Sequence, residues 1–170
     1  MRTGELHGAF LAAVQPDVVH HSDVDLKPLE VDLGGSLPPR LRCYIYGLVV
    51  GGPKRRGEYK AVLRVPKHPV GEYRSFEQSD GRVVIVAAYR PEFDVWVLWD
   101  ALLHPRFKNG GNIQVKDTIV LEAATVGWAE QNRLLASGEA ETVIACTSGK
   151  LSEGLRRRVL VTTSSWDPGN

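Results

Sequence analysis

Chemistry-bearing side chains gather most densely in the segment AAYRPEFDVWVLWDA, residues 87–101. Two apolar runs flank a short polar turn, which predicts a β-hairpin. With a four-residue turn, Tyr89 faces Asp94 across the ladder and Ala87 faces Trp96, and opposed residues point to the same side. A phenol, a carboxylate and an indole would therefore share one face. Such a face could stack a flat polar ligand on its rings and accept the ligand's N–H groups at the carboxylate.

The same hairpin also fits an ordinary packed core. Tyrosine and tryptophan are common strand residues, because large side chains pack well on a pleated, half-buried surface. Asp94 follows a turn, where aspartate is favoured because its side chain bonds to nearby backbone groups. The geometry alone leaves the ligand pocket and the packed hairpin both open.

A second candidate is the tetrapeptide GEYK, in which Glu58 and Lys60 have the E-x-K spacing of a metal-dependent nuclease core. There the carboxylate would hold a divalent cation and the lysine would support the attacking water. That chemistry needs another carboxylate at the end of the preceding strand, but CYIYGLVV is followed by glycines. An outward-facing charged row is the alternative. The only neighbouring histidines, His20 and His21, point apart on an extended chain, so no metal or cofactor is predicted.

Basic residues are concentrated in loops, although the chain of 170 residues has a formal net charge of only +1. This distribution fits a protein that binds DNA with one face, and it also fits ordinary solvated turns. The clusters are Lys54, Arg55 and Arg56 in GGPKRRG, Arg106 and Lys108 in HPRFKNGGN, and Arg156, Arg157 and Arg158 near the carboxyl end.

Composition predicts a globular protein with a real core, since 43% of the residues are hydrophobic. No apolar stretch is long enough to span a membrane, and the amino-terminal segment is a poor signal peptide. Cys43 and Cys146 lie in apolar strand-like runs, which predicts buried reduced thiols and a cytoplasmic protein. We predict one domain over residues 1–170.

Alternating and continuous apolar runs predict an α+β fold with a strongly bent or barrel-like, mainly antiparallel sheet and flanking helices. The predicted parts are an amino-terminal helix and extended arm (1–39), a sheet core (40–147) and a carboxyl-terminal helix and tail (148–170). Predicted strands are an edge strand at 25–33 containing Pro28, a hairpin of 40–50 with 58–65, the hairpin of 82–89 with 93–100, and strands at 112–116 and 141–147. Predicted helices are 5–14, 118–130 capped by Asp117, and 150–160.

The order GEYKAVLRVP … DGRVVIVAAYRPEFDVWVLWDALLH … NIQVK … LEAATVGWAEQ … ETVIAC resembles a bacterial domain that precedes HNH nuclease domains. That domain occurs in modification-dependent restriction enzymes of the McrA type and is similar to the SRA family, which reads 5-methylcytosine. The resemblance covers roughly residues 40–147. The His-Asn-His metal motif of the nuclease is absent from this sequence, so cleavage would belong to an HNH domain elsewhere in a longer protein.

The resemblance implies binding of double-stranded DNA with a modified cytosine flipped into an aromatic pocket. The implied pocket residues are Tyr89 and Trp96 for stacking, Asp94 for the cytosine N4 amino group, and the nearby Trp99. The implied backbone and groove contacts are Lys54, Arg55, Arg56, Arg106, Lys108, Asn109, Asn112 and Gln114. No cofactor and no membrane partner is implied. A metal-dependent nuclease using Glu58 and Lys60 and a protein-interaction domain without a DNA role are the alternatives.

Overall fold

A computed structural model describes residues 1–164 as a mixed α+β fold. Its helices and strands are α1 (Thr3–Ala13), β1 (Val18–His21), β2 (Leu29–Leu33), β3 (Arg40–Gly47), β4 (Val49–Val50), β5 (Glu58–Val62), β6 (Tyr73–Arg74), β7 (Val83–Arg90), β8 (Val95–Trp99), β9 (Phe107–Lys108), β10 (Asn112–Lys116), α2 (Asp117–Val126), β11 (Trp128–Leu134), β12 (Ala140–Thr147) and α3 (Leu151–Ser164). The predicted tail beyond residue 164 lies outside the described residues. Within residues 1–164, no helix combines the length and the apolar character needed to cross a bilayer.

Seven strands form one large sheet in the order β1-β2-β3-β7-β8-β12-β11. All neighbours are antiparallel except β3 and β7, which run parallel. The prediction of a mainly antiparallel sheet is thus confirmed. The sheet is open, since β1 and β11 form its two edges and do not pair with each other. No closed barrel exists among the described strands, and an SRA-like architecture remains a prediction.

One face of the large sheet packs against α1 and α3. The apolar side chains of this core include Phe10 from α1, Leu155 from α3 and Trp96 from β8. Cys43 and Cys146 lie in the same core as buried free thiols, which confirms the prediction for both residues. The strands β7, β8 and β12 are buried on both faces, and this explains their nearly continuous apolar sequences.

The other face of the large sheet packs against α2 and a small three-stranded sheet of order β10-β5-β4. Ala61 and Leu63 of the β5 segment and Ile113 and Val115 of β10 are buried in this second core. Side chains alternate along a strand, so the residues between them point away from the core. The small sheet therefore covers the large sheet with one face and presents a polar face to solvent.

Three predicted elements differ from the structure. The predicted hairpin of 40–50 with 58–65 is wrong for most of its length, because β3 pairs with β2 and β7 and only β4 pairs with β5. The strand predicted at the edge is second in the sheet, since the unpredicted β1 lies outside it. The predicted helix 118–130 spans Asp117–Val126, so Asp117 lies in its first turn and is not its cap. Gly127, with a φ of 88°, provides a left-handed cap at the other end and allows β11 to begin.

Candidate nucleic-acid interface

Strand β10, at the edge of the small sheet, forms the floor of a groove that residues 111–116 line. β5 and β10 pair with Gln114 opposite Lys60 and Lys116 opposite Glu58. Opposed residues point to the same side, and Asn112 follows the same alternation along β10. A row of polar and charged side chains therefore crosses two strands on the solvent side of the sheet.

This groove, which we call the basic groove, has a volume of about 660 Å³ and is also bordered by the loop 52–57, by β9 and by β11. Among its lining residues the only carboxylate is Glu58. The basic residues that line it are Arg55, Arg106, Lys108, Lys116 and Arg133. The groove thus carries an excess of four positive charges, while the whole chain has a net charge of +1. Positive charge is concentrated here, and the rest of the chain is net acidic.

Three of the five cations have no carboxylate partner among the described ion pairs. Arg55 contacts Glu58 at 3.5 Å, and Arg133 is held by a buried glutamate. Arg106, Lys108 and Lys116 form no such pair within residues 1–164, and all three are exposed. These three side chains are therefore free to neutralise the charges of a bound polyanion.

An exposed tyrosine lies beside two of these cations. Tyr73 of β6 pairs directly with Lys108 of β9, and 52% of Tyr73 is exposed. The guanidinium carbon of Arg106 lies 3.9 Å from the centre of the Tyr73 ring, and the Lys108 ammonium lies 5.7 Å from it. An exposed aromatic ring next to cations is typical of surfaces that contact both the bases and the phosphates of nucleic acids.

The strand that forms the groove floor is fixed from behind by side chains of the large sheet. The Gln114 carbonyl accepts hydrogen bonds from Trp99 Nε1 at 3.0 Å and from Arg133 Nη1 at 2.7 Å. Gln131 Oε1 accepts a hydrogen bond from the Lys116 backbone N–H at 3.0 Å. Because β10 is an edge strand of the small sheet, these bonds satisfy backbone groups that have no partner strand. Trp99 is fully buried and supports the groove from inside the core.

One buried carboxylate, Glu141, organises the wall at β11. Its side chain is fully buried. It accepts two hydrogen bonds from Arg133, at 2.6 and 2.8 Å, and one from the Asp100 backbone N–H, at 3.1 Å. It also contacts His104 Nε2 at 2.8 Å. Burial alone would raise the pKa of Glu141, but the hydrogen bonds and charges of His104 and Arg133 together lower it. The carboxylate therefore stays ionised and holds Arg133 in place beside the groove.

The structure brings Tyr89, Asp94 and Trp96 together, with a register different from the predicted one. Tyr89 pairs with Trp96, and Ala87 pairs with Leu98, because a short 3-10 helix and Asp94 occupy the turn. The register shift is two residues, so the predicted face is preserved. The rings of Tyr89 and Trp96 are stacked, with centroids 4.3 Å apart.

Asp94 connects this aromatic pair to the start of α3. Its Oδ1 atom accepts hydrogen bonds from the Tyr89 hydroxyl at 2.9 Å and the Ser148 hydroxyl at 2.5 Å. Trp96 is fully buried and donates its indole N–H to Ser148 Oγ at 3.0 Å. Burial and the neighbouring Asp94 carboxylate raise the pKa of Tyr89. Tyr89 is half-buried and borders an open cavity of about 450 Å³ between α1 and residues 148–149.

The other predicted site residues lie in different settings. Lys54 and Arg56 are exposed on the same loop as Arg55 but do not line the groove. Asn109 is only 3% exposed, and its carboxamide accepts from the Val65 N–H and donates to the His68 and Pro69 carbonyls. Trp99 points to the opposite face of the sheet from Tyr89. The groove thus unites Arg55, Arg106, Lys108, Asn112 and Gln114, whereas the aromatic pair belongs to the other side.

Sequence reasoning missed several residues of the groove. Lys116 and Arg133 lie at the end of a short strand and within a segment predicted partly as helix, so neither formed part of a basic cluster. Tyr73 lies between the predicted strands 58–65 and 82–89, where no element was predicted. The strict alternation in NIQVK is the one local signal that could have placed Lys116 beside Gln114.

The sequence matches the model of the methylase-associated X1 family over residues 39–155. The chain belongs to this family. The match runs from β3 to the beginning of α3, and so includes all the residues that line the basic groove as well as Tyr89, Asp94 and Trp96. Membership of the methylase-associated X1 family suggests a role in a restriction–modification context. The description of the family names no catalytic activity. No curated protein and no solved structure matches the chain.

Proposed function

We propose that this domain binds double-stranded DNA through the basic groove, as the recognition module of a modification-dependent restriction system. The observation that carries the proposal is the concentration of five basic side chains around one groove in a nearly neutral chain. DNA phosphates attract such a surface, and neutralised phosphates release their counterions. An association with methylases supports DNA as the polyanion, because DNA methylases act on that polymer.

The decisive experiment is a fluorescence-polarisation titration of a labelled duplex with the purified chain between 50 and 300 mM salt. Each neutralised phosphate contributes about −0.9 to the slope of a plot of log association constant against log salt concentration. Three unpaired cations therefore predict a slope of about −3. Absence of binding at low salt would favour the protein-interaction alternative. The same titration with Mg²⁺ present tests the nuclease alternative, in which Glu58 and Lys60 would yield cut DNA.

The finer part of the proposal is that the domain prefers DNA with a modified cytosine, such as 5-methylcytosine. The cavity beside Tyr89 supports it, since a flipped base could stack on the half-buried ring while Trp96 holds that ring from behind. Asp94 Oδ2 receives only a long contact from the Ser148 N–H, at 3.4 Å, and so retains capacity to accept from the cytosine N4 amino group.

Replacement of Tyr89 by alanine is expected to reduce the preference for modified cytosine by about 1–3 kcal/mol, the usual contribution of base stacking on an aromatic ring. Tyr89→Phe should keep the preference, because it retains the ring and removes only the hydroxyl. The measurement is competition between duplexes that contain cytosine, 5-methylcytosine or 5-hydroxymethylcytosine.

Phe93→Ala provides the matched control, since Phe93 lies in the same turn but contacts Tyr59 instead of the cavity. If Tyr89→Ala lowers the melting temperature and leaves the preference unchanged, the Tyr89–Asp94–Ser148 contacts only fix the start of α3. The groove and the Tyr89 cavity lie on opposite sides of the large sheet, so one duplex cannot fill the groove and insert a base beside Tyr89 at the same time. The proposal therefore comprises two separate DNA-binding surfaces, and loss of preference and loss of general DNA affinity report on different ones.

A further inference from the structure

A second cationic cleft lies outside the basic groove, near the start of α1. It has a volume of about 660 Å³ and lies between the segment 25–27 and the loop 64–68. The basic residues that line it are Lys27, Arg64, Lys67 and His68, and the one acid is Asp25. The Asp25 carboxylate lies over Gly4 in the first turn of α1, where the exposed N–H groups of the helix favour a negative charge.

Lys27 is a partly buried ammonium without a carboxylate partner among the described residues. Its nitrogen lies 4.1 Å from the centre of the Tyr46 ring, and no ion pair within residues 1–164 includes it. Burial lowers the pKa of Lys27 to about 8, and no neighbouring carboxylate opposes this effect. Removing an ammonium from water without a counter-ion is unfavourable, so an anion that entered the cleft would gain a strong partner.

The walls of the cleft are held in place by buried polar contacts. The Tyr46 hydroxyl donates to the Arg64 carbonyl at 3.3 Å, directly beyond the ring that carries Lys27. Asn109 binds the backbone at Val65 and His68, which fixes the loop on the opposite wall. Lys67 has a φ of 66°, a conformation that is costly for a residue with a side chain. The backbone of the loop is thus held in place, and the exposed Arg64 and Lys67 side chains extend from it.

We infer that this cleft binds a phosphate group, with Lys27 as its central ligand. A phosphate has enough acceptor oxygens to engage Lys27, Arg64 and Lys67 at once, and each bond to a charged donor is stronger than a neutral one. The phosphate belongs either to a free nucleotide or to the DNA backbone. The nucleotide source is independent of the proposed function, whereas the DNA source rests on it.

The test measures two ligands against three variants. Isothermal titration with adenosine 5′-monophosphate examines the free nucleotide, and polarisation with the labelled duplex examines DNA. Lys27→Met removes the charge and keeps the aliphatic stem, and Lys27→Arg keeps the charge. Lys150→Met is the control, since Lys150 is exposed and paired with Glu153 on another face. Lys27→Met should fold at least as stably as the natural chain, because it removes an unpaired buried charge.

For a nucleotide ligand, we expect Lys27→Met to weaken binding of the monophosphate at least tenfold, while Lys27→Arg and Lys150→Met retain it. For a DNA ligand, we expect Lys27→Met to weaken duplex binding about eightfold near 0.1 M salt and to reduce the salt slope by about one. Substitution of the cations of the basic groove should not alter binding of the monophosphate. Binding of the monophosphate in the cleft can therefore be established or rejected independently of the groove proposal.

Trace acetylation followed by mass spectrometry gives a readout without substitution. A bound monophosphate or duplex should slow acetylation of Lys27 and leave acetylation of Lys150 unchanged. If neither ligand slows acetylation of Lys27 and neither binding constant responds to Lys27→Met, the inference is wrong. Lys27 would then only pack its stem and ammonium against Tyr46.

Discussion

Replacement of Glu141 by alanine is expected to lower the free energy of unfolding by about 3–5 kcal/mol, the usual effect of breaking a buried ion pair. The fully buried carboxylate accepts from Arg133 and from the Asp100 N–H and contacts His104. Its removal leaves the Arg133 guanidinium largely buried without its counter-ion. Urea unfolding followed by circular dichroism measures the change. Glu139→Ala, two residues earlier on an exposed loop, should alter stability by less than about 0.5 kcal/mol.

The same substitution predicts a change in the pH dependence of stability. The folded-state pKa of Glu141 is lowered, so its ionised form contributes stability above its ordinary pKa of 4.5. This contribution is lost as the pH falls through the folded-state value, where the carboxylate becomes protonated. Glu141→Gln, which is neutral at every pH, should lack that part of the acid destabilisation. If the free energy of unfolding changes with pH in the same way for the natural chain and for Glu141→Gln between pH 3 and 7, Glu141 is not ionised in the folded protein.

Local sequence patterns were sufficient to predict most strands and helices. β10 was predicted at its observed bounds, because NIQVK alternates between core and solvent at a period of two. The apolar runs at 82–89 and 93–100 and the polar turn between them identified β7 and β8. These features depend on neighbours in sequence, and burial on one or both faces leaves a direct trace in the residue types.

Pairing between strands that are distant in sequence could not be predicted from the residue types of either strand. β3 lies parallel to β7, although about forty residues separate them, and nothing in either strand distinguishes a parallel neighbour from an antiparallel one. β1 was not predicted, because VVHH is short and mostly exposed at the sheet edge. The hairpin register depended on the 3-10 turn and on Asp94, whose φ of 50° could not be read from the residue type alone.

The sequence predicted individual parts of the site but not how the fold arranges them. Two basic loops were identified separately, but only the fold shows that Arg55 and Arg106 border one groove. Asn109 was predicted at the DNA because it lies in a glycine-rich basic loop. Its carboxamide instead forms hydrogen bonds to the backbone of Val65 and His68 and so shapes a different loop, more than forty residues away in sequence.

Replacement of Arg106, Lys108 and Lys116 together by glutamine is expected to weaken duplex binding by about two to three orders of magnitude near 0.1 M salt. Each cation that neutralises a phosphate contributes about 0.9 to the salt slope, so the loss of three contacts removes up to nearly three decades at this concentration. Modified and unmodified duplexes should be affected alike, because phosphate contacts carry no base information. Polarisation titrations over the salt series measure both the affinity and the slope.

The matched control is the substitution of Arg2, Lys150 and Arg156 by glutamine, which removes the same charge from exposed positions outside the groove. A general attraction between the chain and DNA would respond equally to both triple substitutions, because total charge is the same in each. Binding through the groove predicts a shallower slope for the groove variant alone. Equal losses of affinity in the two variants would therefore reject the groove as the binding site, even if the chain binds DNA. Unchanged affinity in the groove variant would mean that Arg106, Lys108 and Lys116 are solvated side chains without a role in binding.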